Sequence, residues 1–290
     1  MNSGRQVSGG APIPPGLHLV ATPIGAADDI TLKALDLLAR ADALAAEDTR
    51  TARKLMDIHG VKLGGRRLTA YHDHSGAAAR AALLEPLKTG GSLAYVSEAG
   101  TPLVSDPGYA LVRDAVAAGV PVHSAPGASA VLAALAVAGL PTDRFTFLGF
   151  LPAAAEARRT ALAELRAHPF TMVLYESPRR VSELFSDLVN ILGTDRPAAL
   201  CRELTKRFEE VRRGSLGALA EGLAEAPKGE IVVVIGGAPK GGAETGDMEA
   251  ALREAMQTMR VKDAANAVAG ALGLPKRQVY QAALELEKQR

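Results

Sequence analysis

The 290-residue chain holds a single cysteine, Cys201. Neither an intrachain disulfide framework nor a cysteine-based zinc cluster can form from it, and a reducing compartment fits. Long apolar runs are also missing. The most apolar stretch, AVLAALAVAGLP at 130–141, is far short of the ~18–20 residues that span a bilayer. The first residues, MNSGRQVSGGAPIPPG, have no apolar core of the secretory kind. Residues 1–15 are therefore expected to be a floppy extension, and the protein is expected to be cytoplasmic and off the membrane. Charge of one sign is not in excess: 33 basic residues face 32 acidic ones, a net +1. This excludes a polycation, so any nucleic acid must be met by a local patch. GxGxxG and GxxxxGK[ST] are both absent, which removes the motifs of dinucleotide-binding and P-loop folds.

What is present is ordinary for a globular protein: 48% hydrophobic and 22% charged residues. The length suits one large domain or two modest ones and buries a real core. Strand-like runs at Leu17–Ala21, Ala43–Ala46, Arg67–Tyr71, Ser92–Val96 and Pro121–Ser124 alternate with runs of helical period. This alternation predicts βαβ units and a parallel sheet. After Leu140 the rhythm changes. Phe145–Phe150, Thr171–Tyr175, Ala198–Arg202, Phe208–Gly214 and Ile231–Gly236 read as strands, and the close succession of the last ones predicts antiparallel pairing. The resulting division is an extension at 1–15, a parallel α/β domain at 16–126, a mixed α/β domain at 127–237, a Gly-rich linker at 238–246, and a helical domain at 247–290. Three helices are expected there. The break at 273–275 has helix-turn-helix spacing, as has a plain helical cap, and the tail's nearly balanced charge argues against a strong independent DNA binder.

Ligands of an open parallel sheet sit outside the carboxyl ends of its strands. Here those ends read ATPIG, AEDTR, YHDHS, VSEAGTP with SDPG, and APGAS. Any one could be an ordinary turn; five on one edge imply a ligand. His72 and His74 flank Asp73, and spacing by two on an extended segment points both imidazoles the same way. A third ligand at definite spacing is missing, so hydrogen bonding within the loop is preferred and no metal is expected.

In order along the chain run VATPIG, AEDTR, YHDHS, VSEAGTPLVSDPG, PGASA, GLPTDRFTFLGFLP, YESPRR, CRELTK and KGEIVVVI. Together they resemble the RsmI-type 16S rRNA 2′-O-ribose methyltransferases, within the tetrapyrrole methylases (class III methyltransferases). The likeness runs from about Gly16 to Gly237, with a helical tail after it. Glu98 departs from it, since the family usually has aspartate there. The resemblance implies two α/β domains of the tetrapyrrole methylase type with the cofactor cleft between them, plus a small C-terminal helical domain. It implies S-adenosyl-L-methionine as cofactor, 16S rRNA of the small ribosomal subunit as partner, a cytidine 2′-hydroxyl in the decoding region as acceptor, and a homodimer.

The residues matching the cofactor walls are Ser97, Glu98, Ala99, Gly100, Thr101 and Pro102; Ser129 with Ala130; Phe150 with Leu151; Arg202, Glu203 and Leu204; and Gly229, Glu230 and Ile231. Gly100 lets backbone approach a ligand closely. Ser129 is either a helix cap or a cofactor contact. Tyr175 either packs on an adenine or closes the core. Arg202 and Glu203 are alternatively an exposed ion pair.

A sulfonium methyl donor is already activated, so catalysis needs in-line positioning and help in removing a hydroxyl proton. Glu47, Asp48, His72 and Asp73 are the candidates at the strand ends, each equally suited to capping a helix or pairing with Arg50. A folded RNA needs cations. Arg50, Arg158, Arg159, Arg179, Arg180, Lys206 and Arg207 are the candidates, either a phosphate track or a solvated face. Two competing functions remain: methylation of a small molecule such as a tetrapyrrole, and a non-catalytic rRNA-binding assembly factor.

Overall fold

The computed structural model describes residues 11–72, 75–223, 227–239, 245–272 and 274–288. The first unit is built from β1 (Gly16–Val20), α1 (Leu32–Arg40), β2 (Ala43–Ala46), α2 (Thr49–Ile58), β3 (Leu68–Ala70), α3 (Ala77–Lys88), β4 (Ser92–Val96), α4 (Tyr109–Ala117) and β5 (Val122–Ala125). Its five strands lie in the order β3-β2-β4-β1-β5, and every pairing is parallel. β4 is buried along its whole length, as a strand covered on both faces must be. Val20 and Val96 pack on one face with Leu37, Leu38 and Met56 of α1 and α2. Leu17 and Tyr95 pack on the other with Leu84 and Leu111 of α3 and α4. The period-2 alternation of β1 thus feeds two cores at once.

The second unit comprises α5 (Ala130–Ala138), β6 (Phe145–Phe150), α6 (Ala155–Glu164), β7 (Thr171–Glu176), α7 (Val181–Leu192), β8 (Pro197–Arg202), β9 (Glu210–Ser215), α8 (Leu216–Glu221) and β10 (Ile231–Ile235). Its sheet runs β6-β7-β10-β8-β9. The β6–β7 pairing is parallel and the rest are antiparallel. Central β10, IVVVI, is wholly buried. Ile231, Val233 and Ile235 meet α6, α7 and α8, while Val232 and Val234 meet Val131, Ala134 and Leu135 of α5. The most apolar run of the chain is therefore a helix pressed on this sheet, ended by Gly139 in the left-handed conformation (φ 73°). The short α8 is an element that sequence periodicity did not indicate. Ser215 caps it by accepting from the Ala218 N–H.

Beyond these come α9 (Thr245–Ala255), α10 (Val261–Leu272) and α11 (Lys276–Lys288). They close a core of their own, with Met248, Leu252, Val268, Val279 and Leu286 in one cluster. Among the described residues no helix is long and apolar enough to cross a membrane.

Candidate functional site

Three loops at the carboxyl edge of the parallel sheet are tied together by short polar contacts. Thr22, just after β1, and Gly100, after β4, exchange backbone hydrogen bonds of 2.9 and 3.0 Å. The Ser97 hydroxyl donates to the Gly100 carbonyl at 3.0 Å. The Thr101 hydroxyl donates to Ala128, after β5, at 3.0 Å. Gly100 sits at φ 77°, and a Cβ there would come 3.2 Å from Ile24 Cγ2. Both facts favour glycine at this position.

The second domain supplies the facing wall, and a cavity of about 380 Å³ lies between. Ile24, Ala99, Gly100, Thr101, Val104, Ser105, Asp106, Ser129 and Ala130 line one side. Phe150, Tyr175, Glu176, Ser177, Pro178 and 229–232 line the other. Tyr175 stands edge-on to Phe147 and Phe150, with ring centroids 4.9 and 5.6 Å away. Burial pushes its hydroxyl up to about 12, so it stays protonated at neutral pH.

The turn at 229–230 is braced from behind. Glu203 Oε1 accepts from the Glu230 N–H and from Lys206 Nζ, both at 2.9 Å. These bonds, the Glu230 one foremost, hold the Glu203 carboxyl below its usual range. The same region meets the first domain: the Ala26 N–H donates to the Thr205 hydroxyl at 3.1 Å. A Cβ on Gly25 would lie 2.5 Å from the Lys206 side chain.

Of the residues matched to the cofactor walls, Ala99, Gly100, Thr101, Ser129, Ala130, Phe150, Gly229, Glu230 and Ile231 face the cavity, with Tyr175. The others stand behind it. Ser97 is buried as a tie. The Glu98 N–H donates to Glu47 Oε2 at 3.3 Å. Pro102 is buried, Leu151 belongs to the core under α6 and α7, and Leu204 packs in a cluster with Ile24. Arg202 pairs with Glu210 at 3.0 Å and donates to the Lys228 carbonyl. Arg202 and Glu203 thus hold the turn that holds the cavity. Ser129 is the N-cap residue of α5, yet its side chain makes no capping bond, which leaves the hydroxyl available to the cavity.

Sequence reasoning passed over Ile24, Val104, Ser105, Asp106, Glu176, Ser177, Pro178 and Val232. The signal for Asp106 was a carboxylate inside a Gly/Pro-rich strand-end loop, and Ser-Asp-Pro-Gly reads equally as a turn. Asp106 is half-buried, and its Oδ2 is buried with no hydrogen-bond partner. Burial, reinforced by the charges of Glu47 and Glu98 and opposed by the Ser97 hydroxyl, pushes its carboxyl up to about 7.

The described acid–base candidates from the strand ends, Glu47, Asp48 and His72, lie outside the cavity lining. Asp48 caps α2, accepting from the N–H groups of Arg50 and Thr51, and pairs with Arg50 Nη2 at 2.8 Å. The Arg50 bonds hold its carboxyl down at about 2, which makes it a poor base. Glu47 is engaged with the Glu98 N–H. The His72 N–H donates to the Ser75 hydroxyl at 3.0 Å. Asp73 and His74 lie outside the described residues.

The cations divide as well. Arg158 is 2% exposed and bound to Asp187 at 2.7 Å. Arg180 donates to buried Glu176 at 3.1 Å and to the Leu151 carbonyl at 2.9 Å. Lys206 bridges Glu203 and Glu230. These three are structural ties. Arg50, Arg159, Arg179 and Arg207 reach solvent, Arg207 with its guanidinium 5.5 Å from the Phe208 ring centre.

Residues 16–220 match the tetrapyrrole (corrin/porphyrin) methylases. The chain belongs to that family. Residues 242–287 match the RsmI C-terminal helix-turn-helix domain, which decides between the two readings of the tail in favour of a helix-turn-helix. The ribosomal RNA small subunit methyltransferase I of Mesorhizobium japonicum is 48% identical over 95% of this chain and 94% of its own. That of Mycobacterium tuberculosis is 45% identical over 94% and 96%. Among solved structures, the methyltransferase CobJ superposes with a TM-score of 0.58 at 21% identity, over 77% of this chain and 95% of its own. Uroporphyrin-III C-methyltransferase from Thermus thermophilus, in complex with S-adenosylhomocysteine, superposes at 0.52 and 21%, over 76% and 96%. These two show the fold of the family's two α/β domains.

The cavity fits S-adenosylmethionine chemically. Its volume lies in the ~300–1,000 Å³ range of small-molecule sites. Ile24, Val104, Ile231, Val232 and two aromatic rings offer an apolar seat for a purine. A side chain at Gly100 would crowd Ile24 of the cavity wall. The open amino end of α5 favours a carboxylate.

Proposed function

We propose that this protein transfers a methyl group from S-adenosyl-L-methionine to 16S rRNA of the small ribosomal subunit, at the 2′-hydroxyl of a cytidine in the decoding region. What supports the reading most is the match, over nearly its whole length, to methyltransferases named for small-subunit rRNA, joined to a cavity of the right chemistry. The bound cofactor supplies an activated methyl on a positive sulfur. The chain's own residues hold that group, exclude water and position the acceptor. The 97–102 loop, Ser129 with Ala130, and the braced 229–231 turn hold the cofactor. The solvent-exposed Arg50, Arg159, Arg179 and Arg207 meet phosphate, and the helix-turn-helix domain adds a second point of contact with folded RNA. The protein acts in the cytoplasm, as a homodimer.

The test is a map of ribose methylation on 16S rRNA from cells with and without this protein. One cytidine in the decoding region should lose its 2′-O-methyl group; an unchanged map refutes the substrate. A small acceptor such as a tetrapyrrole is the competing reading, favoured by the solved structures that share the fold. Purified protein should methylate small ribosomal subunits and leave uroporphyrinogen unaltered. A non-catalytic assembly factor would bind no S-adenosylmethionine in calorimetry.

A further inference from the structure

Methylation of an alcohol releases a proton, and a group must be placed to take it. Among the described residues, three carboxylates line the cavity: Asp106, Glu176 and Glu230. Glu176 is spent on the protein itself, since Oε1 accepts from the Ser177 N–H at 2.7 Å and Oε2 from Arg180 at 3.1 Å. Glu230 is paired with Lys206 at 2.8 Å. Asp106 alone keeps an oxygen, Oδ2, buried and without a partner. A buried acceptor left unpaired destabilises the fold, and folding alone gives no reason to keep it.

The segment that carries Asp106 is also held firmly. The Tyr95 hydroxyl, from β4, donates to the Pro107 carbonyl at 3.0 Å. Gly108, at φ 122°, packs against the Tyr95 ring, where a Cβ would come within 2.8 Å. Leu103 and Ser105 take left-handed conformations (φ 75° and 62°). Non-glycine residues in that region are strained, and such strain clusters at functional sites.

We propose that Asp106 is the catalytic base, its carboxylate receiving the proton of the acceptor hydroxyl. The proposal rests on the reading above of a ribose hydroxyl as acceptor. The balance is complete without another reactant. As the hydroxyl oxygen bonds to the methyl carbon, the carbon–sulfur bond breaks and its electron pair neutralises the sulfonium. The hydroxyl proton passes to the Asp106 carboxylate and leaves later to water. Three groups face Asp106 from other elements: Glu47 at the end of β2, Glu98 after β4, and Tyr175 on β7. Burial first, and then the charges of Glu47 and Glu98, keep it from ionising easily, and Tyr175 stays neutral. An acid held at about 7 is poised where a general base works best at neutral pH. Asp48, at about 2, is not.

The experiment compares the full-length wild type with Asp106→Asn and Asp106→Ala. Three quantities are measured: affinity for S-adenosylhomocysteine, single-turnover methylation of small ribosomal subunits from pH 5.5 to 8.5, and the ¹³C carboxyl resonances of aspartate-labelled protein. The wild-type rate should rise with pH through a midpoint near 7. Both variants should lose roughly 10²–10⁴-fold and lose that rise, while binding S-adenosylhomocysteine within about threefold of wild type, which also shows that they are folded. One carboxyl resonance should titrate near 7 in wild type and be missing from the variants. A variant with full rate and an unaltered pH profile overturns the proposal. So does a variant whose loss lies in cofactor affinity, which would make Asp106 a cofactor ligand. Wild-type protein inactive on every ribosomal substrate overturns the acceptor reading itself, and the proposal with it. Active wild type beside an indifferent variant overturns the proposal alone.

Discussion

At the scale of single residues, burial decides which charges are structural and which are free for chemistry. Arg158 and Arg159 are neighbours in a basic pair, yet Arg158 is 2% exposed against Asp187, whose side chain is 9% exposed, and Arg159 is 56% exposed. Removing Arg158 leaves the buried Asp187 carboxylate with only the exposed Arg159 at 3.8 Å, and breaking a buried pair in this way costs about 3–5 kcal/mol. Arg158→Ala should therefore lower unfolding stability in urea by that amount, and Arg159→Ala by well under 1 kcal/mol. Equal losses would mean the pair is not held as described. Asp106 gives the opposite kind of test. Its folded carboxyl sits at about 7 against the usual 3.8, so the native state binds the proton more tightly than the unfolded chain. The stability this brings is full below about 3.8 and is lost as pH rises through about 7. Asp106→Asn should gain melting temperature relative to wild type at pH 8 and not at pH 4; a constant offset would sink the assignment. Neither residue's state was legible in the sequence. Arginine pairs look alike on a solvated face and over a buried carboxylate, and a strand-end Asp-Pro looks like any turn.

At the scale of elements, most of the architecture was readable because strand and helix periods alternate cleanly. β2, β4 and β6 have the bounds that periodicity predicts. α8 escaped because LGALAE is only six residues long and directly follows β9, too short a run to show a helical period. Pairing was less legible. β7 and β10 are neighbours in the sheet, and nothing local to either announces it. The cofactor wall was readable where it is backbone, as at Gly100 and Gly229. It was not readable where one residue supports another, as Glu203 does. That support is testable. Gly229 sits at φ 97°, and a Cβ there would meet the Glu203 carboxyl at 2.4 Å. Gly229→Val must push the 229–231 turn off its brace. S-adenosylhomocysteine affinity should fall at least tenfold, or ~1.4 kcal/mol, by calorimetry on folded protein. Unchanged affinity would place the cofactor elsewhere.

At the scale of the whole molecule, the hydrophobic clusters show where the chain can be cut. Met248, Leu252, Val279 and Leu286 share a core with no residue of the two α/β domains. A chain ending at residue 239 should fold, bind S-adenosylhomocysteine as the full protein does, and methylate small ribosomal subunits at least tenfold more slowly at limiting RNA, because one of two RNA contacts is gone. Failure to fold would make the helical domain part of the core. An undiminished rate would leave the helix-turn-helix without a role in docking this substrate. The overall charge near zero hid this division of labour, since a net value does not say where charges sit.

The strand order β3-β2-β4-β1-β5 also bears on how the protein is made. Gly16 has Ser92 as its neighbour in the finished sheet, about 75 residues downstream. With ribosomes adding ~5–20 residues per second, β1 leaves the exit tunnel on the order of 4–15 s before β4 exists to receive it. Through that interval GLHLV has α1 to pack on but no strand to pair with, while the helices of the C-terminal unit need only their near neighbours and close quickly. Aggregation during synthesis, rather than weakness of the finished fold, is therefore the step that should limit yield, and slower translation would lengthen the exposure.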